Sequence, residues 1–332
     1  MIGIGIIGAG FFGEIHARAI AAVPDVRVAA VCRQDIDAAR AIAREHGGTA
    51  YADWQALLDD PSVDVALIAT PHHLHAEMAV AAARAGKHIL LEKPMAPTVA
   101  GCDAINAAVR EAGVHLMVGH VMHFALPCLV AKEIIDRGEI GRPVLGSSWL
   151  IKLWMEANRR PWHLTPKTGG GMLLTAGIHA LDRLVWLMDG KVEAVSAMAG
   201  TFFHDQEADD TALMLLRFAD ARVGQVASVG YGDGGVGFAM DLVCTAGTLR
   251  LDFDHGVSVG RGGAWTPVAN SLEPDWMQRA VAREWQAMAA VVRGDIPNPV
   301  DGSYARDLVA CIEAARQAEQ SRREVALASR GI

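Results

Sequence analysis

Cysteine is scarce in this sequence: five among 332 residues, at 32, 102, 128, 244 and 311. The number is odd and no pair has C-x-x-C spacing. That speaks against a disulfide framework and a thiolate zinc site, and it fits a reducing cytoplasm. Basic residues are in deficit, 30 Lys and Arg against 38 Asp and Glu, for a net charge of −8. A sequence-independent nucleic-acid surface needs the opposite balance, so no nucleic-acid partner is expected. No apolar run approaches the roughly 18–20 residues of a membrane span. The opening Met1–Ile7 has neither a basic n-region nor a small-residue cleavage site, so no signal peptide is expected. Internal repeats and low-complexity tracts are also missing.

Apolar residues, by contrast, make up 52% of the chain. That is enough to bury a core and offset ordering entropy. The length exceeds what a single core usually fills, which points to two domains. Over the first 120 residues, apolar runs at 2–8, 26–32, 63–69, 88–91 and 114–118 alternate with helical patterns. Continuous apolar runs mark strands buried on both faces, and their alternation with helices predicts a parallel sheet of βαβ units. The first run ends in Gly8-Ala9-Gly10-Phe11-Phe12-Gly13. In that setting Gly8 permits the tight turn, Gly10 lets the backbone approach a pyrophosphate, and Gly13 lets the helix pack close to the sheet. The helix N-terminus at Phe11 and Phe12 presents amides to the phosphates. At the end of the second strand, Arg33 stands where a ribose-binding carboxylate is expected. A guanidinium there can pair with a 2′-phosphate, which favours NADP with NAD as second choice. The alternative is a solvated Arg33, with Asp35 serving the ribose.

Two further segments carry a resemblance. Thr70-Pro71-His72-His73-Leu74-His75 follows the third long strand, and Glu92-Lys93-Pro94 follows the fourth. Together with the glycine loop, Gly119-His120, Phe124, Pro127, Trp162, Gly169-Gly170-Gly171 and Gly177-Ile178-His179-Ala180-Leu181-Asp182, the chain resembles the glucose–fructose oxidoreductase/inositol dehydrogenase/rhizopine-catabolism family (Gfo/Idh/MocA). The resemblance implies a Rossmann dinucleotide-binding domain over 1–122. It also implies an α/β domain over 123–332 with an open, mostly antiparallel sheet for substrate binding and oligomerisation, its last helix free to pack back on the first domain. It further implies a sugar, cyclitol or related small-molecule substrate held between the domains. A homodimer or homotetramer would form through the second sheet. Cofactor contacts fall on Gly8, Gly10, Phe11, Phe12, Gly13, Arg33, Thr70, Pro71, His72, His75, Glu92 and Lys93.

In the second half, strands are expected at 143–155, 192–203, 211–218, 222–230 and 236–244, three of them adjacent with short connections, which favours antiparallel hairpins or a meander. Helices are expected at 171–188, 276–293 and 303–321, and loops at 230–237 and 260–275.

The chemistry is expected at Lys93 and His179. A partly desolvated Lys beside a nicotinamide suits acid/base work near neutral pH. The plain alternative is a surface Lys after a strand. A neutral His179 can hold the substrate oxygen or take its proton, although a core histidine would satisfy the pattern too. The family's D-x-G-x-H is here Thr175-Ala176-Gly177-Ile178-His179, and Thr175 cannot supply a negative charge. His163 and His123 stand where the family has arginines, so they, Thr175, Trp162 and Arg159 are the candidate substrate contacts. Arg159 and Arg160 could clamp an anion or merely decorate a loop. A metal at His72 and His75 lacks a completing ligand and is not expected. Competing readings are a non-catalytic dinucleotide sensor, prompted by Thr175, and a lyase or glycosidase working through transient oxidation.

Overall fold

The computed structural model describes residues 1–327. By contact the chain divides into two compact units, one of residues 1–121 with 277–307, the other of 122–276 with 308 onward. The helix at 276–293 therefore belongs almost wholly to the first unit, although it follows residues 122–276 of the second in sequence.

The first unit is built as its apolar runs require. Its elements are β1 (Ile2–Ile7), α1 (Phe11–Ile20), β2 (Val26–Cys32), α2 (Ile36–His46), β3 (Thr49–Tyr51), α3 (Trp54–Leu58), β4 (Val65–Ile68), α4 (His75–Arg84), β5 (His88–Glu92), α5 (Val99–Ala112) and β6 (Leu116–Gly119). The six strands are all parallel, in the order β3-β2-β1-β4-β5-β6. Ile4, Ile6, Val65, Leu67, Leu90 and Met117 are fully buried, as expected for strands covered on both faces. Strand order reverses at β1/β4, and ligands of open α/β sheets bind beyond the carboxyl ends at such a point. Neither β3 nor α3 is apparent from the apolar pattern, because each is short and half exposed.

The second unit contains α6 (Leu126–Asp136), β7 (Pro143–Leu153), α7 (Ile178–Met188), β8 (Val192–Gly200), β9 (Thr211–Phe218), β10 (Val223–Tyr231), β11 (Gly237–Cys244), β12 (Gly247–Asp252), β13 (Gly256–Arg261) and β14 (Ala264–Pro267). After α8 (Trp276–Arg293) and α9 (Gly302–Ser321), β15 (Val325–Ala326) completes the sheet. Its nine strands run β14-β13-β12-β11-β7-β10-β9-β8-β15. All neighbours are antiparallel except β7 with β10.

Two expectations need correction. The stretch 260–275 is not simply a loop: β13 runs into it and β14, the exposed edge strand, lies within it, and their glycines and polar residues hide the strand pattern. β10 and β11, adjacent in sequence, do not form a hairpin; β7 lies between them. In β9, Ala212, Met214, Leu216 and Phe218 are buried while the intervening residues are not, so one face packs and the other is open.

Candidate active site

The dinucleotide loop has the backbone its glycines allow. Gly8 has φ +93°, and a Cβ there would stand 2.4 Å from the Ala69 carbonyl oxygen. A Cβ on Gly13 would stand 2.6 Å from the Gly8 carbonyl oxygen, so α1 presses directly on the turn. Gly10 differs: a Cβ there would meet nothing within 4 Å. Open space over Gly10 together with α1, which has no side-chain cap, leaves first-turn amides available to an anion. The residues present thus fit a dinucleotide pyrophosphate. Phe11 is exposed and Phe12 half-buried at this helix start.

Arg33 follows β2 and is half-buried, its backbone N–H donating to the Tyr51 carbonyl. Asp35 is engaged as the N-cap of α2, its Oδ1 accepting from the Asp37 and Ala38 amides at 3.1 and 3.2 Å.

Thr70 and Pro71 are half-buried at the end of β4, and Thr70 Oγ1 lies 3.4 Å from Met78 Sδ. His72 is buried in the single turn that opens α4, edge-on to His75. His75 is fully buried between two carbonyl oxygens, Pro94 at 2.8 Å and Thr70 at 2.9 Å. Burial pushes its pKa down, although both carbonyls favour the proton. The ring therefore ties the loop after β4 to the turn after β5. That turn holds Lys93, half-buried, joined to Pro94 by a cis peptide bond. Glu92 Oε2 accepts the Lys93 backbone N–H at 3.3 Å. Lys93 thus lies at the carboxyl edge of the same sheet as the glycine loop.

In the second unit, the expected helix from 171 begins irregularly. Residues Leu173–Gly177 form a π-helical turn before α7 starts at Ile178. Such turns often mark functional positions. The three glycines allow this start: a Cβ on Gly169 would stand 2.3 Å from the Trp162 carbonyl oxygen, and one on Gly171 2.6 Å from that of Asp209. Asp209 Oδ2 accepts the Leu173 amide at 2.7 Å, and burial raises its pKa to about 6. Thr175, buried in the π turn, donates to the Gly169 carbonyl at 3.3 Å. His179 is half-buried in the first turn of α7.

The other candidate substrate contacts are braced by protein. His163 is buried, stacked on half-buried Trp162 at 3.6 Å between ring centres, and its Nδ1 accepts the Arg160 amide at 3.0 Å. Arg159 lies 3.7 Å over the Trp154 ring and donates to the Trp154 carbonyl at 2.8 Å; burial lowers its pKa to about 10. Arg160 is exposed. His123 is buried, 2.9 Å from Asp182 and stacked on Trp186. His120 is buried in the first unit, edge-on to Tyr304.

Three residues around Glu92 escape sequence reasoning: His16, Glu284 and Trp285. Trp285 lies 269 positions from the histidine it touches. The available signals were a buried-face His one turn past Gly13 and an acid–tryptophan pair on the inner face of the helix at 276–293.

A parallel sheet in this strand order, its open glycine loop and a lysine on the same edge define the class of dinucleotide-binding oxidoreductases. Residues 2–120 match the family described as "Oxidoreductase family, NAD-binding Rossmann fold", and residues 128–250 match the "GFO/IDH/MocA C-terminal domain". The chain belongs to the Gfo/Idh/MocA oxidoreductase family. It is 31% identical to levoglucosan dehydrogenase of Pseudarthrobacter phenanthrenivorans over 68% of this chain and 66% of that protein. To 2,7-anhydro-N-acetylneuraminate hydratase of Escherichia coli it is 30% identical over 76% of this chain and 70% of that protein. Among solved structures, an NAD-binding oxidoreductase from Klebsiella pneumoniae is similar at a TM-score of 0.89 and 27% identity, over 99% of both chains. The match thus spans about two thirds of the length of the levoglucosan dehydrogenase.

Proposed function

We propose that the protein is an NADP(H)-dependent oxidoreductase acting on a secondary alcohol or ketone of a sugar, cyclitol or carboxylated derivative. The observation that carries this reading is Lys93, half-buried at the carboxyl edge of the sheet whose first turn is the open glycine loop. When bound, the nicotinamide supplies or accepts the hydride. Lys93 and His179 handle the hydroxyl proton: in the oxidative direction it leaves the substrate oxygen for Lys93 Nζ or the His179 ring, and in reduction it returns. Amides of the first turn of α1 hold the pyrophosphate, while Thr175, Trp162, His163, His123 and Arg159 shape or line the substrate pocket.

The 2′-phosphate preference rests on Arg33. The competing ribose ligand, Asp35, has one carboxylate oxygen engaged in capping α2, which supports Arg33 as the group that meets the ribose. The test is cofactor titration with turnover on a panel of sugars, cyclitols and sugar acids. Wild type should bind NADP more tightly than NAD. Arg33→Asp should lose roughly tenfold or more in NADP affinity, the scale of a charge-assisted pair. Tighter NAD binding by the wild type would sink the NADP assignment and leave the oxidoreductase reading standing.

The hydratase relative favours a second reading, in which the cofactor is reduced and reoxidised within one turnover. Product formation without net change in cofactor absorbance would single it out. Tight cofactor binding with no turnover on any panel member would favour a sensor instead.

The outer face of the second sheet supports self-association. Met198 on β8, Leu213 and Leu215 on β9, Val223 on β10, Leu145 on β7 and Val243 on β11 are exposed. Register sets Leu213 beside Met198, and Val223 and Val243 on either side of Leu145. They form two apolar groups on one face, with exposed Gln225 and Arg217 interleaved between them, and exposed apolar groups of this kind mark interaction surfaces. Light scattering should read a dimer or tetramer that Leu215→Glu dissociates; a monomeric wild type would refute the assignment. No described helix is long and apolar enough to cross a membrane, and all five cysteines are free and buried. A cytoplasmic site, in which such thiols stay reduced, is part of the same proposal; recovery of the protein in a secreted fraction would refute it.

A further inference from the structure

The first unit holds a buried cluster that the proposed chemistry does not use. His16 on α1, Glu92 at the end of β5 and Glu284 on α8 each bring one ligand-type atom within 4.8 Å of the others, and all three are buried. That spacing alone would suit a metal ion. The hydrogen bonds around His16 argue otherwise. Trp285 Nε1 lies 2.9 Å from His16 Nδ1, and an indole nitrogen can only donate. His16 Nδ1 is therefore the acceptor, and the ring proton of the neutral imidazole is on Nε2. From there it is donated to Glu92 Oε1 at 2.9 Å. Binding a metal through Nε2 would move that proton to Nδ1, where it would point at the indole N–H.

The carboxylates complete the arrangement. Glu92 has donors on both oxygens, His16 on Oε1 and the Lys93 backbone amide on Oε2. It is also walled in: a Cβ on Gly119 would stand 2.8 Å from Oε1. Glu284 is fully buried, and neither of its oxygens has a hydrogen-bond partner among the described residues. Two carboxylates this close in a buried interior cannot both ionise. The negative charge settles where the donors are, on Glu92, and Glu284 keeps its proton. Burial and the Glu92 charge both push the Glu284 pKa well above the ordinary range. The other titratable groups acting here are His16 from α1, His75 from α4, on which Glu92 acts electrostatically, and Lys93 itself.

We infer that Trp285, His16 and Glu284 are positioning residues that lock one imidazole tautomer and one negative charge on Glu92, and through Glu92 hold the main chain at Lys93. The inference deepens the reading of Lys93 as proton handler and rests on it. Its spectroscopic signs, however, do not involve the Lys93 side chain.

The test uses the full chain loaded with NADP. Nitrogen NMR of imidazole-labelled protein should show His16 as the Nε2–H tautomer. Infrared spectra at mildly alkaline pH should show the carbonyl stretch of a protonated carboxylic acid, lost in Glu284→Gln. In Trp285→Phe the Nδ1 nitrogen should lose its donor and shift toward the resonance of a free acceptor, while Glu92 keeps the proton on Nε2. Turnover on an alcohol from the panel should fall about five- to tenfold, the scale of one neutral hydrogen bond, with cofactor affinity within about twofold. A merely structural tryptophan would lower stability and leave the His16 Nδ1 resonance unchanged. Stoichiometric binding of Zn²⁺ or Mn²⁺ abolished by His16→Ala would overturn the proposal, as would an infrared band that Glu284→Gln does not remove. Should Trp285→Phe fail to fold, the wild-type tautomer and the Glu284→Gln spectrum still decide. If no panel member is turned over, the proposed function fails while the two spectra still report on the cluster.

Discussion

Replacing Lys93 with Met should lower kcat by about 10²–10⁴-fold, the range that a positioned acid or base contributes. Cofactor affinity should remain within a few-fold of wild type. Met keeps the length and the apolar stem of lysine and removes only the ammonium. The main chain at this position is held independently of that group: Glu92 accepts the Lys93 amide, and His75 contacts the Pro94 carbonyl at 2.8 Å. The variant should therefore fold, and the loss should appear in the chemical step rather than in assembly of the site. Thr175 offers no substitute, because it holds the family's acidic slot with a hydroxyl that donates to the Gly169 carbonyl. Steady-state kinetics beside a cofactor titration make the check. A drop in kcat smaller than about tenfold would move the proton-handling role to another group, with His179→Asn as the next variant.

The parts of this protein legible in sequence are those where local chemistry and local geometry coincide. Gly8, Gly10 and Gly13 sit at fixed offsets between a buried strand and a helix, so their roles follow from sequence spacing once that setting is recognised. The same holds for Lys93 directly after β5. What local pattern does not carry is long-range pairing. His16 and Trp285 are brought together only when α8 joins the first unit, after residues 122–276 of the second unit have intervened. Nothing in the sequence around 285 announces that its indole serves a histidine in the first helix. The π turn at Leu173–Gly177 is hidden for a different reason. Its apolar residues satisfy a helical period, and Gly177 at its end lies so close to β10 that a Cβ would stand 2.4 Å from Ser228 Oγ. Strands β12 to β14 escape because they are only four to six residues long and rich in glycine and polar residues, with β14 exposed throughout. The histidines expected at the substrate show the limit of carrying a role by position. His123 and His163 do occupy the slots of family arginines, yet each has its ring stacked on a tryptophan and a ring nitrogen engaged by protein.

Two substitutions in the glycine loop should fail in opposite ways. Gly8→Val should cost on the order of 3–5 kcal/mol of stability. Its φ of +93° is one that a β-branched residue avoids, and its Cβ would lie 2.4 Å from the Ala69 carbonyl oxygen and 2.7 Å from the carbonyl carbon. Both atoms are main chain at the end of β4, whose Ala69 amide is bonded to the Ile7 carbonyl at 2.8 Å, so they cannot yield without opening the centre of the sheet. Against a total of about 5–15 kcal/mol, that loss removes a large share of the stability. Gly10→Val should instead leave stability within about 0.5 kcal/mol of wild type. Its φ of −87° and ψ of −156° are extended and open to any residue, and nothing lies within 4 Å of the added Cβ. The new side chain would fill the space reserved for the pyrophosphate, so cofactor affinity should fall by about a hundredfold, as when a site loses two charge-assisted hydrogen bonds. Chemical denaturation and cofactor titration of both variants separate the effects. Full cofactor affinity in Gly10→Val would mean that the phosphates lie elsewhere, whereas a Gly8→Val protein as stable as wild type would mean that the turn can relax in a way its hydrogen bonds to Cys32 and Ala69 do not suggest.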